Sequence, residues 1–375
     1  MSRKLRILEV NKAYYPHIGG IESLVKQYAE NFRDKADVKV LVCREDRGKG
    51  FSEKINGVEV YRAGSLGTYF SCPLSLSFIL KFRKMAKKAD VVHINMPFPL
   101  TDLACLISGY KGRVVLSWHS DVVKQKKLLM LYKPIMMKLL KRADLILAAT
   151  EGHIKSSPYI SQFAEKCRIV PYSINPKEYL EAEKKPILSE KLKDKKAVKV
   201  FFTGRLVYYK GVDVLLKAFR SVKDCELFIA GTGTLENELK AYAAKHRMND
   251  RVHFLGFLSD ADLKAAFCDC DIFILPSVEN SEAFGIVQLE AMVYSKPVIN
   301  TSLPTGVPYV SRGGESGITV KPNDVKALAD AINRLAADKE LRKRYGAEAY
   351  NRICRYFDDS VVLGRIYEAL SMGGK

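Results

Sequence analysis

Short apolar runs rich in β-branched residues alternate with amphipathic helical patterns along almost the whole chain. The run LRILEVN at 5–11 and the helical pattern at 21–32 form the first pair, and an Asn-Gly turn within 54–62 predicts a hairpin. Further strands are predicted at 37–44, 90–95, 113–120, 143–150, 167–174, 198–204, 225–231, 251–257, 270–277, 296–301 and 317–322. Strands that alternate with helices are typical of βαβ units, so the pattern predicts an α/β fold with parallel sheets.

Two domains are expected because 375 residues exceed what one hydrophobic core usually organises. A polar, lysine-rich segment at 175–197 is the predicted linker. The halves on either side both begin with a strand, a glycine loop and a helix, at 5–32 and 198–222. We therefore predict two facing Rossmann-like domains, 1–175 and 176–355, with ligands bound in an interdomain cleft at the carboxyl ends of the strands.

The formal net charge of +19 favours a polyanionic partner: nucleic acid, acidic lipid or a phosphate-rich small molecule. A hydrophobic content of 47% excludes a largely disordered chain. The eight cysteines include a lone Cys268-x-Cys270 pair without a second cluster, so no zinc site is predicted. Scattered thiols, and no pattern of a signal peptide or membrane span, predict a cytoplasmic protein, either free or peripheral on the inner face of the plasma membrane.

Glu282 and Glu290 lie in the stretch ENSEAFGIVQLEAM, with seven residues between them. In one helix they would be separated by roughly 80° and about 12 Å, too far for a shared proton. The alternative is a loop, then a helix that starts near Gly285 and carries Glu290 on its second turn. The amides of Phe284, Gly285 and Ile286 would then lie between two carboxylates that can bind hydroxyl groups. On spacing alone, this ligand site and two ordinary surface acids stay equal alternatives.

The loop TGRLVYYKGVD at 203–213 places Arg205 and Lys210 between a predicted strand and a predicted helix. Gly204 and Gly211 give the loop conformational freedom. Two cations at the start of a helix form a site for a diphosphate, and the alternative is that both are ordinary solvated basic residues. The position at the carboxyl end of a strand favours the diphosphate site.

Three further glycine-containing loops follow predicted strands, in YYPHIGGIE, AGTGTLENELK and LGFLSD. Glycines before a helix let the backbone approach a phosphate or nucleotide closely, although tight turns explain each loop equally well. The candidate ligand contacts in these loops are Gly19, Gly20, Thr232, Gly233, Phe257 and Leu258.

The stretch SWHSD at 117–121 ends a predicted strand of the first domain. Its His119 and Asp121 can both bind a ligand. A histidine at the end of a strand is often structural, so a ligand contact at the predicted cleft and a structural role are equal alternatives here.

The segment KQKKLLMLYKPIMMKLLKR at 124–142 contains seven cations and no acid. This composition is typical of a helix that lies on an anionic membrane surface. The alternative is a helix that packs on the core and turns a solvated basic face to water. Pro134 is expected to break or kink the segment.

Together and in this order, the motifs resemble those of the retaining, nucleotide-sugar-dependent group 1 glycosyltransferases, which have the GT-B fold. GRLVYYKGVD is similar to that family's Arg-x(4)-Lys loop, and PSVENSEAFGIVQLEAM to its Glu-x(7)-Glu motif. YYPHIGG is similar to its Gly-Gly loop in the first domain, and GTG and LGF stand where nucleotide contacts are expected. The similarity covers essentially the whole chain.

The resemblance implies a role for each motif. Arg205 and Lys210 would hold the donor diphosphate and stabilise the leaving nucleotide. Glu282 would bind hydroxyls of the donor sugar, and Glu290 would bind the ribose. The further contacts implied are Gly19, Gly20, Gly204, Thr232, Gly233, Phe257, Leu258, Phe284, Gly285 and Ile286.

In the first domain, the resemblance implies that His119 touches the sugar near its anomeric carbon, with Asp121 close by. It also implies that no cofactor and no metal ion is needed, in keeping with the lack of a DxD metal motif in a donor loop. A carboxyl-terminal helix within 356–375 would pack back on the first domain.

The expected reaction is transfer of a hexose, with GDP-mannose as one candidate donor, to a hydroxyl of a glycan or polyprenyl-linked oligosaccharide. The stretches WHSDVVKQK and LPTGVPYVSRGGESG resemble bacterial O-antigen and capsule enzymes, some of them mannosyltransferases. The expected partners are the nucleotide-sugar donor, a glycan or lipid-linked acceptor and an anionic membrane surface contacted through 124–142, but no nucleic acid. The alternatives are a GT-B nucleotide-sugar 2-epimerase and a glycosyltransferase with a soluble acceptor.

Overall fold

The computed structural model of the protein describes residues 3–17, 19–69, 72–121 and 126–372, without the side chains of 126–128. The chain divides into two compact units, which are Met1–Pro171 with Val362–Lys375 (the first unit) and Tyr172–Val361 (the second unit). The sequence places the boundary a few residues later, after 175. Tyr172 belongs to the second unit because its ring packs on Phe284, with 4.8 Å between centroids.

The first unit is built on an eight-stranded sheet. Its elements in chain order are β1 (Leu5–Val10), α1 (Gly20–Phe32), β2 (Ala36–Cys43), β3 (Phe51–Ile55), β4 (Val58–Ala63), β5 (Thr68–Tyr69), β6 (Cys72–Pro73), α2 (Leu76–Ala86), β7 (Val91–Met96), α3 (Pro99–Ile107), β8 (Arg113–Trp118), α4 (Lys126–Arg142), β9 (Leu145–Ala148), α5 (Glu151–Ser156) and β10 (Cys167–Ile169). The strand order is β10-β9-β8-β7-β1-β2-β4-β3, and β5 pairs with β6 in a separate hairpin.

The strands of this sheet are parallel except for β3, which pairs antiparallel with β4. The β3–β4 pair is the hairpin predicted at the Asn-Gly turn. Asn56 and Gly57 have φ of 48° and 87°, the positive values that a tight hairpin turn requires, so the prediction is confirmed.

One face of the sheet is covered by α2, α3 and α4. Side chains of alternate strand residues, such as Ile94 and Leu116, pack in a single apolar cluster with Phe82 of α2 and Leu139 of α4. The central strand β7 is buried at every residue, as expected for a parallel sheet with both faces covered.

The second unit is built on a six-stranded, all-parallel sheet in the order β13-β12-β11-β14-β15-β16. Its elements in chain order are α6 (Pro176–Leu180), β11 (Val198–Thr203), α7 (Val212–Phe219), β12 (Cys225–Ala230), α8 (Glu236–Lys245), β13 (Val252–Gly256), α9 (Asp260–Asp269), β14 (Ile272–Leu275), α10 (Val287–Val293), β15 (Val298–Thr301), α11 (Val307–Val310), β16 (Gly317–Val320), α12 (Val325–Ala337) and α13 (Lys339–Arg352). Each strand predicted in this part of the chain is present.

The lysine-rich segment 175–197, predicted as a linker, is partly folded and belongs to the second unit. It contains α6, and the backbone amides of Leu188 and Ser189 donate to Oδ2 of Asp269 at 2.8 and 2.7 Å. Lys199 also pairs with Asp269, at 2.8 Å. The lysine-rich composition did not predict these contacts, because a polar composition does not distinguish a free linker from a segment held by hydrogen bonds.

The last helix, α14 (Asp359–Ser371), belongs to the first unit from Val362 onwards. The guanidinium of Arg113 donates to the carbonyl oxygen of Ala369 at 3.0 Å, and the ring of Tyr367 lies 5.4 Å from that of Phe32. These contacts attach the end of the chain to β8 and α1.

Helices α2 and α3 were not identified from the sequence, although the buried residues of α2, Phe78, Phe82 and Ala86, recur at every fourth position as in a helix. Pro134 does not break α4, which runs continuously from Lys126 to Arg142. Pro134 lies on an exposed side of this helix. Of the segment 124–142, residues 124 and 125 lie outside the described residues.

Within the described ranges, no helix has the length and apolar character needed to cross a bilayer. All eight cysteines are in the part of the chain that is described, and each is a free thiol.

Asp102 and Tyr132 join α3 to α4 inside the first unit. The Tyr132 hydroxyl donates to Oδ2 of Asp102 at 2.5 Å, and Oδ1 is buried without a partner among the described residues. Burial raises the pKa of Asp102 to about 7, against the opposing effect of the Tyr132 hydrogen bond. The carboxyl group therefore holds its proton in the folded protein at pH values where an unfolded chain has released it.

Asp102→Asn should change the pH dependence of stability. The folded-state pKa lies above the unfolded value of about 4, so stability from this group is present at low pH and is lost as pH rises to about 7. Asparagine does not titrate, so the variant should gain roughly 2–3 kcal/mol in unfolding free energy relative to wild type between about pH 5 and 8. Urea unfolding at both pH values measures this.

The exposed Asp250→Asn is the matched control for that experiment. A difference between Asp102→Asn and wild type that stays constant between the two pH values would contradict a protonated Asp102 in the folded state.

Candidate functional site

The carboxyl ends of four neighbouring strands in the second unit carry most of the predicted site residues. Strands β13, β12, β11 and β14 are adjacent and parallel, so the loops that follow them lie along one edge of the sheet. These loops contain Gly204, Arg205, Lys210, Thr232, Gly233, Phe257, Leu258, Glu282, Phe284, Gly285 and Ile286. We call this edge the second-unit site.

The loops after β11 and β14 are in direct contact at Gly211. This residue has φ of 67°, and a Cβ atom there would collide with the carbonyl oxygen of Pro276. The amide of Val278 donates to the carbonyl oxygen of Tyr209 at 2.8 Å, which joins the two loops. Glycine at 211 therefore permits the close approach that brings Lys210 to the second loop.

Lys210 and Glu282 form an ion pair, with 2.5 Å between Nζ and Oε2. The Ser277 hydroxyl donates to the same oxygen at 3.0 Å. Both charged side chains are almost fully withdrawn from water, with exposures of 12% and 11%. The sequence predicted separate ligand contacts for these two residues, and the structure adds that each is the other's partner.

An ammonium group has three N–H donors, and Glu282 accepts from one of those of Lys210. The remaining donors can bind a second anion. Arg205 adds another cation to this loop. Its side chain is exposed, and Nη2 donates to the Tyr209 hydroxyl at 3.1 Å.

The stretch from Glu282 to Glu290 is a loop followed by a helix, but the helix begins later than predicted. Helix α10 starts at Val287, so Glu290 lies in its first turn and not in its second. The reason is Gly285, which has φ of 73° and leaves no room for a Cβ atom against the side chain of Leu275. A residue in the left-handed region cannot continue a right-handed helix.

The amides of Phe284, Gly285 and Ile286 donate to no acceptor in the described parts of the chain. The loop that carries them is nevertheless firmly held. The ring of Phe284 is buried between those of Tyr172 and Phe357, at 4.8 and 6.2 Å. The three amides thus belong to an ordered stretch of backbone in which Phe284 and Gly285 are buried and Ile286 is partly buried.

Glu290 is bound by a residue that the sequence analysis did not single out. The Tyr179 hydroxyl donates to Oε1 of Glu290 at 3.0 Å, and the Tyr294 hydroxyl donates to the carbonyl oxygen of Tyr179 at 2.5 Å. Burial raises the pKa of Glu290 to about 7, although the Tyr179 hydrogen bond lowers it. Tyr179 was missed because it lies in α6, within the segment taken for a linker.

The loops after β12 and β13 complete the second-unit site. The carbonyl oxygen of Thr232 accepts from the amide of Leu206 at 2.9 Å, which joins the GTG loop to the Arg205 loop. The Thr232 and Gly233 backbone is exposed beside it. Phe257 exposes 83% of its surface, an unusual value for a phenylalanine, while Leu258 is partly buried. The exposed ring is available to contact a ligand.

His119 lies in the first unit, directly after β8, and is buried. Asn95 donates through Nδ2 to the carbonyl oxygen of Val10 at 3.2 Å, so its Oδ1 must accept from Nε2 of His119, 2.9 Å away. Burial lowers the pKa of His119 to about 3, with smaller effects of His93 and His153. The imidazole is therefore neutral, with its proton on Nε2.

Asp121 binds other side chains of the first unit. Its Oδ1 accepts from the indole N–H of Trp118 at 3.0 Å and from the Ser157 hydroxyl at 2.7 Å. If Asp121 binds a ligand as predicted, the same carboxylate also accepts these two hydrogen bonds.

Gly19 and Gly20 lie at the start of α1, also in the first unit. Gly19 is extended and precedes the helix, and Gly20 is its exposed first residue. The amide of Ser23 donates to the carbonyl oxygen of Gly19 at 3.0 Å, as at the start of a regular helix. Ile18, between this pair and the preceding loop, lies outside the described residues.

A second buried polar group was missed by the sequence analysis. His93 contacts Oε1 of Glu9 through Nδ1 at 2.8 Å and the Ser117 hydroxyl through Nε2 at 2.7 Å. These residues, with Asn95, occupy alternate positions of β1, β7 and β8, so they point to the face of the sheet opposite α2, α3 and α4. The sequence did contain a signal for this group, which is the pair of polar residues His93 and Asn95 at alternate positions of the buried strand β7.

The second-unit site can thus bind an anion through Arg205 and Lys210. It can bind hydroxyl groups through the carboxylates of Glu282 and Glu290. Among the described residues, no three His, Cys, Asp or Glu side chains are grouped as metal ligands.

Comparison with known proteins gives two matching family profiles. The family described as "Glycosyl transferases group 1" matches residues 183–352, and "Glycosyltransferase Family 4" matches residues 18–177. The chain is 33% identical over 356 residues to the D-rhamnosyltransferase WbpZ of Pseudomonas aeruginosa. The aligned region covers 94% of this chain and 92% of that protein. It is 30% identical over 356 residues to the O-antigen chain mannosyltransferase C of Escherichia coli, over 94% of both chains.

The crystal structure of Anabaena Alr3699/HepE in complex with UDP superimposes with a TM-score of 0.78. The match covers 98% of this chain and 100% of that chain at 21% identity, which shows a common fold. The predicted fold class is confirmed, with parallel sheets in two Rossmann-like domains. Sequence identity of 33% along 94% of the chain shows the family as well, so the protein belongs to the group 1 glycosyltransferases and has the GT-B fold.

Proposed function

We propose that this glycosyltransferase is a retaining hexosyltransferase that uses a nucleotide sugar and glycosylates a hydroxyl of a glycan or polyprenyl-linked oligosaccharide in surface polysaccharide synthesis. The observation that carries the proposal is the grouping of Arg205, Lys210 and Glu282 on contacting loops, in the unit that also holds Glu290. The names of two relatives, a D-rhamnosyltransferase and an O-antigen chain mannosyltransferase, support a hexose donor, with GDP-mannose as one candidate.

Arg205 and Lys210 would bind the donor diphosphate. When the bond between the anomeric carbon and the phosphate oxygen breaks, its electron pair stays on the diphosphate, which gains negative charge. Cations already fixed in place stabilise that charge without reorganisation, and they do so most strongly where water is excluded, as around Lys210. The proposal therefore includes no metal ion and no cofactor.

Glu282 would accept hydrogen bonds from hydroxyls of the donor sugar. Its Oε2 is already held by Lys210 and Ser277, which makes this carboxylate a weak nucleophile. Retention would then come from attack by the acceptor hydroxyl on the face of the sugar that the phosphate leaves. The new bond forms between the acceptor oxygen and the anomeric carbon, and the hydroxyl proton passes to the departing phosphate oxygen.

The roles proposed for the first unit rest on the family resemblance. His119 would hydrogen-bond the transferred sugar, and because its imidazole is neutral it would add no charge. Asp121 would lie close to the same sugar, and Gly19 and Gly20 would approach the donor phosphate or the acceptor. Phe257 and Leu258 would lie against the nucleobase, for which uracil and guanine are both candidates.

Two alternatives differ in what happens to the sugar. A GT-B nucleotide-sugar 2-epimerase would bind the same donor and invert one of its carbons without an acceptor. A glycosyltransferase with a soluble acceptor would share every donor contact. The matched relatives are named as transferases, which favours transfer over epimerisation.

A donor screen followed by a transfer assay tests the proposal. UDP, GDP and their sugars should be compared by thermal shift, and the correct donor at 100 times its Kd should stabilise the folded protein by about 2.7 kcal/mol. NMR of the glycosylated product should show the anomeric configuration of the donor. Conversion of the donor to an epimer in the absence of acceptor, or a product of inverted configuration, would overturn the proposal.

Lys210→Ala should lower kcat by a factor on the order of 10², because the cation that stabilises the leaving diphosphate is lost. Steady-state kinetics with the donor identified by the screen measure the effect. Lys217→Ala is the matched control, since Lys217 is exposed and pairs with Asp213 within α7. Unchanged turnover of the Lys210 variant would remove this residue from the diphosphate site.

Donor affinity should depend on the ionisation of Glu290. A ribose hydroxyl donates to the carboxylate, so binding should tighten as pH rises through a pKa of about 7. The dissociation constant should fall about tenfold between about pH 6 and 8 in wild type, and it should be nearly constant in Glu290→Gln. Calorimetry with the nucleotide measures both, with the exposed Glu238→Gln as control. A parallel pH dependence in wild type and Glu290→Gln would disprove the ribose contact.

A further inference from the structure

Tyr209 lies in the turn between Arg205 and Lys210, the two cations proposed to bind the donor diphosphate. The amide of Lys210 closes this turn by donating to the carbonyl oxygen of Val207 at 3.0 Å. The carbonyl oxygen of Tyr209 accepts from the amide of Val278 at 2.8 Å. The backbone of the loop is therefore held at both ends, and the positions of the two cationic side chains decide what the site presents to an anion.

The hydroxyl of Tyr209 holds the guanidinium of Arg205. Nη2 donates to this hydroxyl at 3.1 Å, and among the described residues the guanidinium has no other hydrogen-bond or ion-pair partner. The side chain of Arg205 is exposed, so without this bond it would occupy many rotamers in water. A side chain that is ordered in advance loses less conformational entropy on binding, so the bond should increase the affinity for the anion that Arg205 meets.

The ring of Tyr209 lies beside the second cation. Nζ of Lys210 is 5.6 Å from the ring centroid, within the range of a cation–π interaction. The same Nζ pairs with Glu282, and the Lys210 side chain is only 12% exposed. A cation–π interaction is stronger for a cation that has lost most of its water, so the ring helps to hold this ammonium group in one position.

We propose that Tyr209 is a positioning residue for diphosphate binding, which fixes Arg205 through its hydroxyl and Lys210 through its ring. It acts on the donor through these two cations and not by a contact of its own. The Arg-x(4)-Lys motif leaves the residue at 209 unspecified, so the assignment comes from the two side-chain contacts. It rests on the proposed function in one respect, because that function supplies the diphosphate as the anion that both cations meet.

Two other roles are compatible with the position of Tyr209. Its ring could serve only to pack the loop, or its hydroxyl, which keeps its own proton while it accepts from Arg205, could donate directly to a phosphate oxygen. The contacts favour positioning, because the hydroxyl meets one cation and the ring meets the other. The bond to Val278 is made by the backbone, so substitutions at 209 preserve it.

A double-mutant cycle tests the contact with Arg205. Tyr209→Phe removes only the hydroxyl and should weaken binding of the nucleoside diphosphate about fivefold, the change expected when one long side chain is no longer ordered in advance. The same substitution in an Arg205→Ala background should change the affinity by less than about twofold, because the group that it positions is gone. Calorimetry on the full-length protein, with UDP or GDP as the donor screen selects, measures the four affinities.

Equal losses in the two backgrounds would overturn the proposal, since the hydroxyl would then act without Arg205. The matched control is Tyr242→Phe in α8, which should bind the diphosphate as wild type does. The nucleoside, uridine or guanosine, has no phosphate, so Tyr209→Phe should bind it as wild type does in a competition assay. An equal loss of affinity for nucleoside and diphosphate would assign Tyr209 to loop packing and would also overturn the proposal.

The contact with Lys210 is tested by Tyr209→Leu. Leucine removes the π face as well as the hydroxyl, so kcat for transfer should fall about fivefold below that of Tyr209→Phe. In a Lys210→Ala background the two substitutions should give the same kcat within about twofold. A fivefold difference that persists without Lys210 would overturn the role of the ring. Tyr209→Phe keeps the ring, so the cycle with Arg205 remains decisive even if the leucine variant is unstable.

The proposed function and the role of Tyr209 fail in different experiments. Wild type that binds neither UDP nor GDP would overturn the proposed function and this inference with it. Wild type that binds one of them, with additive losses for Tyr209→Phe and Arg205→Ala, would retain the nucleotide site and remove Tyr209 from the positioning of its cations.

Discussion

Both faces of a parallel sheet must be covered, and the connections that cover them place the following loops along one edge. In the second unit this constraint brings together residues that are distant in sequence. Lys210 follows β11 and Glu282 follows β14, and these strands are neighbours in the sheet although 72 residues separate the two side chains. Gly211 then allows the two loops to touch. The diphosphate and sugar contacts of the proposed reaction depend on this adjacency.

The ionisable side chains of the second-unit site are held by protein partners, an ion pair for Lys210 and Glu282 and a hydrogen bond for Glu290. Lys210 and Glu282 neutralise each other away from water, and Glu290 is protonated over much of the range below neutral pH because it is buried beside Tyr179. In the proposed reaction, the nucleotide sugar would offer a diphosphate to the cation and hydroxyls to the carboxylates.

In the first unit, the two faces of the sheet differ in character. One face contacts α2, α3 and α4 through apolar side chains, and the other buries Glu9, His93 and Ser117 as a hydrogen-bonded set.

The sequence by itself determined where most strands lie along the chain, the two-part α/β organisation and the family. It also determined the loops that carry Arg205, Lys210 and Glu282. Those features are local, because the hydrophobic period, the glycines and the spacing of the motif residues can each be recognised within a short stretch of sequence. Tertiary structure alone decided that Lys210 pairs with Glu282, that Tyr179 binds Glu290, and that α10 begins after Gly285. It also decided that one side of α4, with Tyr132, Met136, Leu139 and Leu140, packs in the core while Leu131 remains exposed. Ion pairs, burial and pKa depend on neighbours from distant segments, and no local pattern specifies them.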